Sequence, residues 1–235
     1  MSTVVLSADG LYKEFTLNRG PISLKQRFAN CFRSNPRART EQFCAVNNVS
    51  LTLNRGEALA LNGHNGSGKS TLLQLLSGIL SPTKGRVSSL GRVAPLIELG
   101  VGFHHELTGL ENIFLNSSLF GISNRETKSK INDIIDFSGL DRFIDTPVKN
   151  YSSGMYMRLG FSVAVHVNPQ VLLADEILAV GDAEFQSKCH QRIKDMQADG
   201  MSLILVTHSE AQGREYCTRF LTLERGSVIA QGHYQ

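Results

Sequence analysis

Residues 63–70, GHNGSGKS, restrict the possible folds of this chain more than any other segment. They match the pattern GxxxxGKS/T without a mismatch, and they stand between an apolar run, EALALN, and a helical pattern, TLLQLL. The glycines let the backbone turn tightly and approach a phosphate, and successive N–H groups and the helix N-terminus then hold the anion. The segment therefore predicts a strand, a phosphate-binding loop and a helix, with Lys69 on the β- and γ-phosphates of a nucleotide and Ser70 as a ligand of Mg²⁺.

Apolar runs downstream of this loop predict a parallel sheet. Three short runs alternate with helical patterns: VLLA at 171–174, SLILVTH at 202–208 and RFLTLE at 219–224. Strands that alternate with helices favour an α/β fold with a mostly parallel sheet. Residues 3–17 and 43–62 are also rich in strand formers, whereas 107–165 has a helical pattern. We therefore expect one α/β domain over residues 1–235, with a helical subdomain at about 107–165.

The basic charge is concentrated in one short segment. The formal net charge of the chain is +3, which is too small to indicate a nucleic-acid partner. Residues 19–41 carry one acidic residue against six basic ones: Arg19, Lys25, Arg27, Arg33, Arg37 and Arg39. Leu24, Phe28 and Phe32 recur there at helical spacing, which predicts a basic amphipathic insertion at about 19–42. Two interpretations stay open: a surface helix that packs on its own domain, or a helix that contacts anionic lipid or a membrane partner.

Two acidic residues and a histidine stand at the ends of predicted strands. Asp175 and Glu176 follow directly on VLLA, at the strand end where ligands meet an open α/β sheet. Asp175 is placed to hold Mg²⁺ through water, and Glu176 is placed to polarise the attacking water as a general base. His208 ends the run LVTH and would hydrogen-bond the γ-phosphate of the same nucleotide. The three side chains together predict hydrolysis of a nucleoside triphosphate.

A second anion site is predicted far along the chain from the first. In YSSGMYMR, the residues Ser152, Ser153 and Gly154 form a small turn, rich in N–H groups, just before a helix. A second phosphate site at this distance makes sense if two copies of the chain bind ATP head to tail between them.

The loop, the serine-glycine turn, the acidic pair and the histidine, in this order, resemble the ATP-binding cassette (ABC) ATPases over essentially the whole chain. The resemblance implies a RecA-like P-loop NTPase core with an N-terminal antiparallel β part. It assigns the Walker A residues that bind ATP: Gly63, Asn65, Gly66, Ser67, Gly68, Lys69, Ser70 and Thr71. Ser152 and Gly154 match the signature motif, which contacts the ATP of the second chain. Asp175 and Glu176 match the Walker B pair, and His208 matches the switch histidine.

Further positions follow from the same resemblance. Asp182 matches the D-loop aspartate, and Phe15 matches the aromatic residue that stacks on adenine, with Tyr12 as the alternative. The coupling glutamine of the family is missing. Glu98, in LIELG, is its nearest counterpart, which makes Glu98 a coupling residue and a ligand of Mg²⁺. The signature YSSGM departs from the usual LSGGQ, but binding through its backbone should survive.

Three segments are similar to the ATPases that export bacterial cell-surface polysaccharides: LIELGVGFHHELTGLENI, YSSGMYMRLGFSVA and DEILAVGDAEFQ. This resemblance implies a homodimer that works beneath a separate transmembrane permease dimer and is peripheral on the cytoplasmic side of the bacterial inner membrane. The substrate it implies is a lipid-linked polysaccharide. O-antigen is the first candidate, and capsule polysaccharide and teichoic acid are the alternatives.

Other classes of function are alternatives. A soluble ABC ATPase that acts on nucleic acid or the ribosome usually carries two cassettes, or a long coiled coil between the loop and the signature. This chain has one cassette and a short separation between Lys69 and Ser152. A small-molecule kinase with the same loop would leave Asp182 and His208 without roles. We therefore expect no nucleic-acid partner, and the sequence has no apolar stretch of the length that a spanning helix needs.

Overall fold

Two sheets contribute side chains to one apolar core around the helix that follows the glycine-rich loop. The computed structural model describes residues 3–19, 39–97, 100, 102–175 and 181–234. Within these residues, a three-stranded sheet and a six-stranded sheet share this core with helix α1, Lys69–Leu76. The leucines of α1 are buried in it: Leu72, Leu73, Leu75 and Leu76. A helix that is apolar on most of its surface is stable only when it is enclosed in this way.

The smaller sheet is antiparallel, with the strand order β2-β1-β4. Its strands are β1 (Val4–Arg19), β2 (Arg39–Asn54) and β4 (Lys84–Ser89). The long pairing of β1 with β2 runs from Val4↔Asn54 to Arg19↔Arg39. This sheet confirms the antiparallel part of the expected fold. The predicted basic insertion at about 19–42 begins and ends in these two strands, and its residues 20–38 lie outside the described residues.

The larger sheet confirms the expected parallel core. Its strand order is β5-β6-β7-β3-β8-β9, and every neighbouring pair is parallel except β8 with β9. Its strands are β3 (Ala58–Asn62), β5 (Val93–Pro95), β6 (Val171–Asp175), β7 (Ser202–Val206), β8 (Arg219–Glu224) and β9 (Ser227–His233). Strands β3, β6 and β7 are almost wholly buried, as parallel strands covered on both faces are. Their carboxyl ends meet at one edge, where the chain continues into the glycine-rich loop, Asp175 and the segment around His208.

Three α-helices occupy the interval in which the sequence predicts a helical subdomain. They are α2 (Gly109–Leu119), α3 (Asn124–Ser138) and α4 (Ser153–His166). A hydroxyl caps the first turn of each: Thr108, Ser123 and Ser152 accept a hydrogen bond from the backbone N–H three residues on. A second apolar core joins these helices to α5 (Ala183–Ala198) and to the large sheet, and α6 (Glu210–Tyr216) follows β7.

Candidate nucleotide-binding site

Backbone groups of both sheets limit the space around the glycine-rich loop. Gly63 has φ +147° and Gly68 has φ +104°, conformations in which a side chain would be strained. A β-carbon at Gly63 would lie 2.4 Å from the carbonyl oxygen of Leu223 in β8, and one at Gly68 would lie 2.3 Å from the carbonyl oxygen of Ala45 in β2. Only glycine fits at these two positions beside the carbonyl groups. The loop can therefore form a compact turn that leads into α1, with its N–H groups at the helix N-terminus.

Lys69 begins helix α1 and is directed back into the loop. Its side chain is buried, and Nζ donates to the carbonyl oxygens of Gly63 at 2.7 Å and His64 at 3.0 Å. A buried ammonium is stable only when polar partners surround it. The two carbonyls hold the positive charge within the turn, next to the position that a bound phosphate would take.

Ser70 and Asp175 come together although they are far apart in the sequence. The hydroxyl of Ser70 donates to Oδ2 of Asp175 at 3.2 Å, where the first turn of α1 meets the end of β6. A hydroxyl and a carboxylate are the hard oxygen donors that Mg²⁺ prefers. The two residues therefore fit the ion. Two other predicted residues of this site, Glu98 and Glu176, lie outside the described residues.

A cavity of about 450 Å³ opens over this loop and helix start. Eight predicted residues line it: Asn65, Gly66, Gly68, Lys69, Ser70, Thr71, Asp175 and His208. Ser67, within the loop, is buried, and its carbonyl accepts from the N–H of Gly226 at 2.8 Å. The structure therefore brings most of the predicted Walker A residues, Asp175 and His208 to one site.

An aromatic residue that the sequence analysis missed also lines this cavity. Phe43, in β2, is 51% exposed there. It is the direct cross-strand partner of Phe15 in β1, the residue that the sequence analysis assigned to adenine. The ammonium of Lys13 lies 5.3 Å from the centre of the Phe15 ring, and that of Lys84 lies 5.7 Å from the centre of the Tyr12 ring. Phe43 is thus a further candidate for stacking on the base.

Replacing Phe43 with alanine is expected to weaken binding of both ATP and GTP by roughly 1–3 kcal/mol, because a base stacked on the ring loses its platform. Stacking uses the π-face of the base and does not distinguish adenine from guanine. Isothermal titration calorimetry would give both dissociation constants. Phe15→Ala is the matched control on the neighbouring strand. If Phe15→Ala alone weakened binding, the stacking role would belong to Phe15.

The predicted signature residues lie elsewhere on the chain, on the helical subdomain. Ser152 is exposed and caps α4, where its hydroxyl accepts from the N–H of Met155 at 3.2 Å. Gly154 lies in the first turn of the same helix. Neither residue lines the cavity that holds Lys69. The exposed N-terminus of α4 can thus bind an anion that is presented from outside the chain.

Two side chains of α4 connect the signature helix to other parts of the site. The hydroxyl of Tyr156 donates to the carbonyl oxygen of Gly100 at 2.8 Å, and its ring packs edge-on against Phe103. Burial raises the pKa of Tyr156, so the hydroxyl remains a donor at neutral pH. Arg158 lies 3.5 Å from the carboxylate of Asp182, the predicted D-loop residue. The sequence analysis assigned no role to Tyr156 or Arg158, because their partners are distant in the sequence.

The fold and this site define a P-loop ATPase domain with a separate helical signature subdomain. The sequence model of the ABC transporter family matches residues 46–179, more than half of the chain. The chain therefore belongs to the ABC transporter family, as an ATP-binding ATPase subunit. No helix within the described ranges has the length and apolar character to cross a membrane.

Curated relatives indicate which members of the ABC transporter family the chain resembles. The chain is 45% identical to the "ABC transporter protein AbcA" of Aeromonas salmonicida, over 99% of this chain and 74% of that protein. It is 48% identical to the "O-antigen export system ATP-binding protein RfbB" of Klebsiella pneumoniae, over 78% of this chain and 74% of that protein. It is 40% identical to the "Teichoic acids export ATP-binding protein TagH" of Lactococcus lactis, over 97% of this chain and 48% of that protein. These similarities confirm the resemblance to polysaccharide exporters.

A solved structure confirms the fold independently. The chain superposes on the dimeric, post-hydrolysis state of the ATP-binding cassette MJ0796 bound to ADP and Pi with a TM-score of 0.75. The two chains are 22% identical, and the match covers 98% of this chain and 99% of that one. At this identity the likeness concerns the fold alone.

Proposed function

We propose that this chain hydrolyses ATP to power the export of a lipid-linked cell-surface polysaccharide, with O-antigen as the first candidate. The observation that carries the proposal is the 48% identity to an O-antigen export ATP-binding protein, in a chain whose Lys69, Ser70 and Asp175 converge on one cavity. Teichoic acid is the second candidate substrate, because the similarity to a teichoic acids export protein extends over 97% of this chain.

In the proposed reaction, the oxygen of a water molecule attacks the γ-phosphorus of ATP. The bond to the β–γ bridging oxygen breaks, ADP leaves, and Glu176 accepts the proton that the water loses. Lys69 and the loop N–H groups bind the β- and γ-phosphates, and His208 donates a hydrogen bond to the γ-phosphate. Ser70 and Asp175 would hold Mg²⁺, with Glu98 as a further ligand, and bound Mg²⁺ supplies positive charge at the phosphate oxygens.

The active site is proposed to form between two copies of the chain. Lys69, Ser70 and Asp175 make one half of it, whereas Ser152 and Gly154 are on the exposed start of α4 and outside that cavity. A second copy in head-to-tail orientation would bring its own Ser152 and Gly154 to the γ-phosphate. ATP would then lie buried between the two copies, and hydrolysis would require the homodimer.

A mostly apolar groove is the proposed docking site of the separate transmembrane permease dimer. The groove, of about 220 Å³, lies between the helical subdomain and the core, and Ile79, Pro95 and Leu119 line it. Leu119 is 63% exposed, which is unusual for a large apolar side chain unless a partner covers it. Gly100 also lines the groove and accepts the hydrogen bond of Tyr156, so a permease segment seated there would contact the signature helix indirectly. Docking there would make the subunit peripheral on the cytoplasmic side of the inner membrane.

Deletion of the gene is expected to remove the exported polymer from the cell surface, and the wild-type gene is expected to restore it. Leu119→Asp should fail to restore the polymer, because a charge in the groove opposes docking of an apolar segment, while the ATPase of the isolated subunit stays normal. Leu90→Asp is the matched control, since Leu90 is 61% exposed directly after β4 and away from the groove. Gel analysis of lipopolysaccharide would separate O-antigen from wall or capsule polymers.

Normal surface polymer in the deletion strain would refute the export function. Full restoration of the polymer by Leu119→Asp would show that the permease docks on another surface of the subunit. If a wall or capsule polymer were lost in place of the O-antigen ladder, the second candidate class of substrate would take its place.

A further inference from the structure

His208 stands between two residues that are held by hydrogen bonds. It lines the nucleotide cavity a short distance after the end of β7, and it is proposed to contact the γ-phosphate. Before it, Thr207 extends the pairing of β7 with β3, because its N–H donates to the carbonyl oxygen of Leu61 at 3.4 Å. After it, Ser209 caps α6 by accepting from the N–H of Gln212 at 3.3 Å. The direction in which His208 leaves the sheet therefore depends on both neighbours.

The hydroxyl of Thr207 both donates and accepts. Oγ1 donates to Oε1 of Gln212 at 2.7 Å and accepts from the N–H of Ser209 at 3.0 Å. Thr207 is 2% exposed, so little water can reach the hydroxyl to replace these partners. One buried hydroxyl thus connects the residues on both sides of His208 to the first turn of α6.

This arrangement departs from the capping box that the sequence SEAQ predicts for α6. In a capping box, the side chain of the third helical residue accepts from the N–H of the cap residue. Helix α2 has this form, because Oε2 of Glu111 accepts from the N–H of Thr108 at 2.8 Å. At α6, the N–H of Ser209 donates to Thr207 instead, and Thr207 donates to Gln212. The glutamine side chain therefore holds the last residue before the switch histidine and not the cap residue.

We propose that Thr207 is a positioning residue that sets the orientation of His208 towards the γ-phosphate. The inference rests on the proposed function, in which His208 donates a hydrogen bond to that phosphate. A donor stabilises the transition state best when it is already directed at the place where charge develops. Because the hydroxyl of Thr207 fixes the backbone on both sides of His208, the histidine is ordered before ATP binds. Loss of the hydroxyl would misplace this donor and leave the rest of the phosphate site intact.

Thr207→Val keeps the shape of the side chain and removes the hydrogen bonds of the hydroxyl. It is expected to lower kcat by roughly tenfold or more, since a small misplacement of a catalytic group is costly. The affinity for ATP should fall, whereas the affinity for ADP should stay normal because ADP has no γ-phosphate. Thr207→Ser retains the hydroxyl and should keep both values near those of the wild type. Turnover would be measured by phosphate release, and the two dissociation constants by isothermal titration calorimetry.

A second test determines whether the effect depends on His208. In a His208→Ala background, Thr207→Val should lower kcat by less than about twofold, because residues that act as one unit are not additive. Gln212→Leu should reproduce Thr207→Val in the wild-type background, since it removes the acceptor of the hydroxyl. Single-turnover assays with radiolabelled ATP would measure the slow variants.

Thr127→Val is the matched control for the loss of a buried threonine hydroxyl. Thr127 is 1% exposed on α3, and its hydroxyl donates to the carbonyl oxygen of Ser123 at 3.1 Å. This variant should lose stability in thermal unfolding and keep the wild-type kcat and the wild-type affinities for ATP and ADP.

Wild-type kcat in Thr207→Val would overturn the inference. Equal losses of ATP and ADP affinity, or equal losses of kcat with and without His208, would also overturn it and leave Thr207 a structural residue. If Thr207→Val did not fold, Gln212→Leu would decide between the same outcomes. Each of these results would leave the proposed function intact, since the wild type would still hydrolyse ATP. Absence of hydrolysis by the wild type would instead refute the proposed function, and the inference with it.

Discussion

Glu176→Gln is expected to bind ATP and to hydrolyse it roughly 10²–10⁴-fold more slowly than the wild type, because the amide keeps the shape of the side chain but cannot accept a proton. The residues proposed to bind the phosphates and Mg²⁺, which are Lys69, Ser70 and Asp175, are unchanged in this variant. ATP should therefore persist between two copies of the chain and trap a dimer. Turnover would be measured by phosphate release, and the dimer by size-exclusion chromatography with and without ATP.

Glu184→Gln is the control for this experiment. Glu184 is exposed on α5, where it pairs with Lys188 at 3.2 Å, and it lines no part of the nucleotide cavity. The same chemical change should there leave turnover normal and trap no dimer. Wild-type turnover in Glu176→Gln would remove Glu176 from the role of general base.

Ser152→Arg is expected to abolish hydrolysis while the isolated monomer still binds ATP. The side chain of Ser152 is exposed at the start of α4. An arginine there would project towards the proposed partner copy and block closure of the two-chain site. The cavity around Lys69 is lined by other residues and should keep its affinity. Titration with ATP at low protein concentration would measure binding, and phosphate release at high concentration would measure hydrolysis.

The loss of the helix cap in this variant needs its own control, because removing a cap costs about 0.5–2 kcal/mol of stability. Ser123 caps α3 in the same way, by accepting from the N–H of Glu126 at 3.2 Å, and it is also exposed. Ser123→Arg should therefore lower the melting temperature to a similar extent and keep hydrolysis. A parallel fall of binding and hydrolysis in Ser152→Arg would assign Ser152 to the site of its own chain.

The central part of the site could be predicted because its chemistry is encoded locally. The loop, Lys69 and Ser70 form one continuous motif, and Asp175 ends an apolar run that reads as a buried strand. Parallel strands bring their carboxyl ends to one edge, so the convergence of Ser70 with Asp175 followed from the sheet type. The hydrogen bond of 3.2 Å between Ser70 and Asp175 agrees with that expectation.

Phe43 could not be predicted, because its position depends on the pairing of two distant segments. β1 and β2 are separated by residues 20–38, and several register shifts interrupt their ladder. A change of one residue in register would turn Phe43 to the other face of the sheet. The short β5 and the mostly exposed β4 escaped prediction for a different reason, since neither has an apolar pattern long enough to identify.

The backbone contacts that confine the glycine-rich loop affect the affinity for ATP. Because Leu223 and Ala45 contact the loop at its two tightest glycines, its backbone is ordered when the domain folds and not when ATP arrives. The conformational entropy of the loop is then lost in folding, at about 1–2 kcal/mol for each residue, and it does not reduce the free energy of binding. The stabilisation that ATP confers on this domain against heat should therefore report its phosphate and base contacts directly, with little contribution from loop ordering.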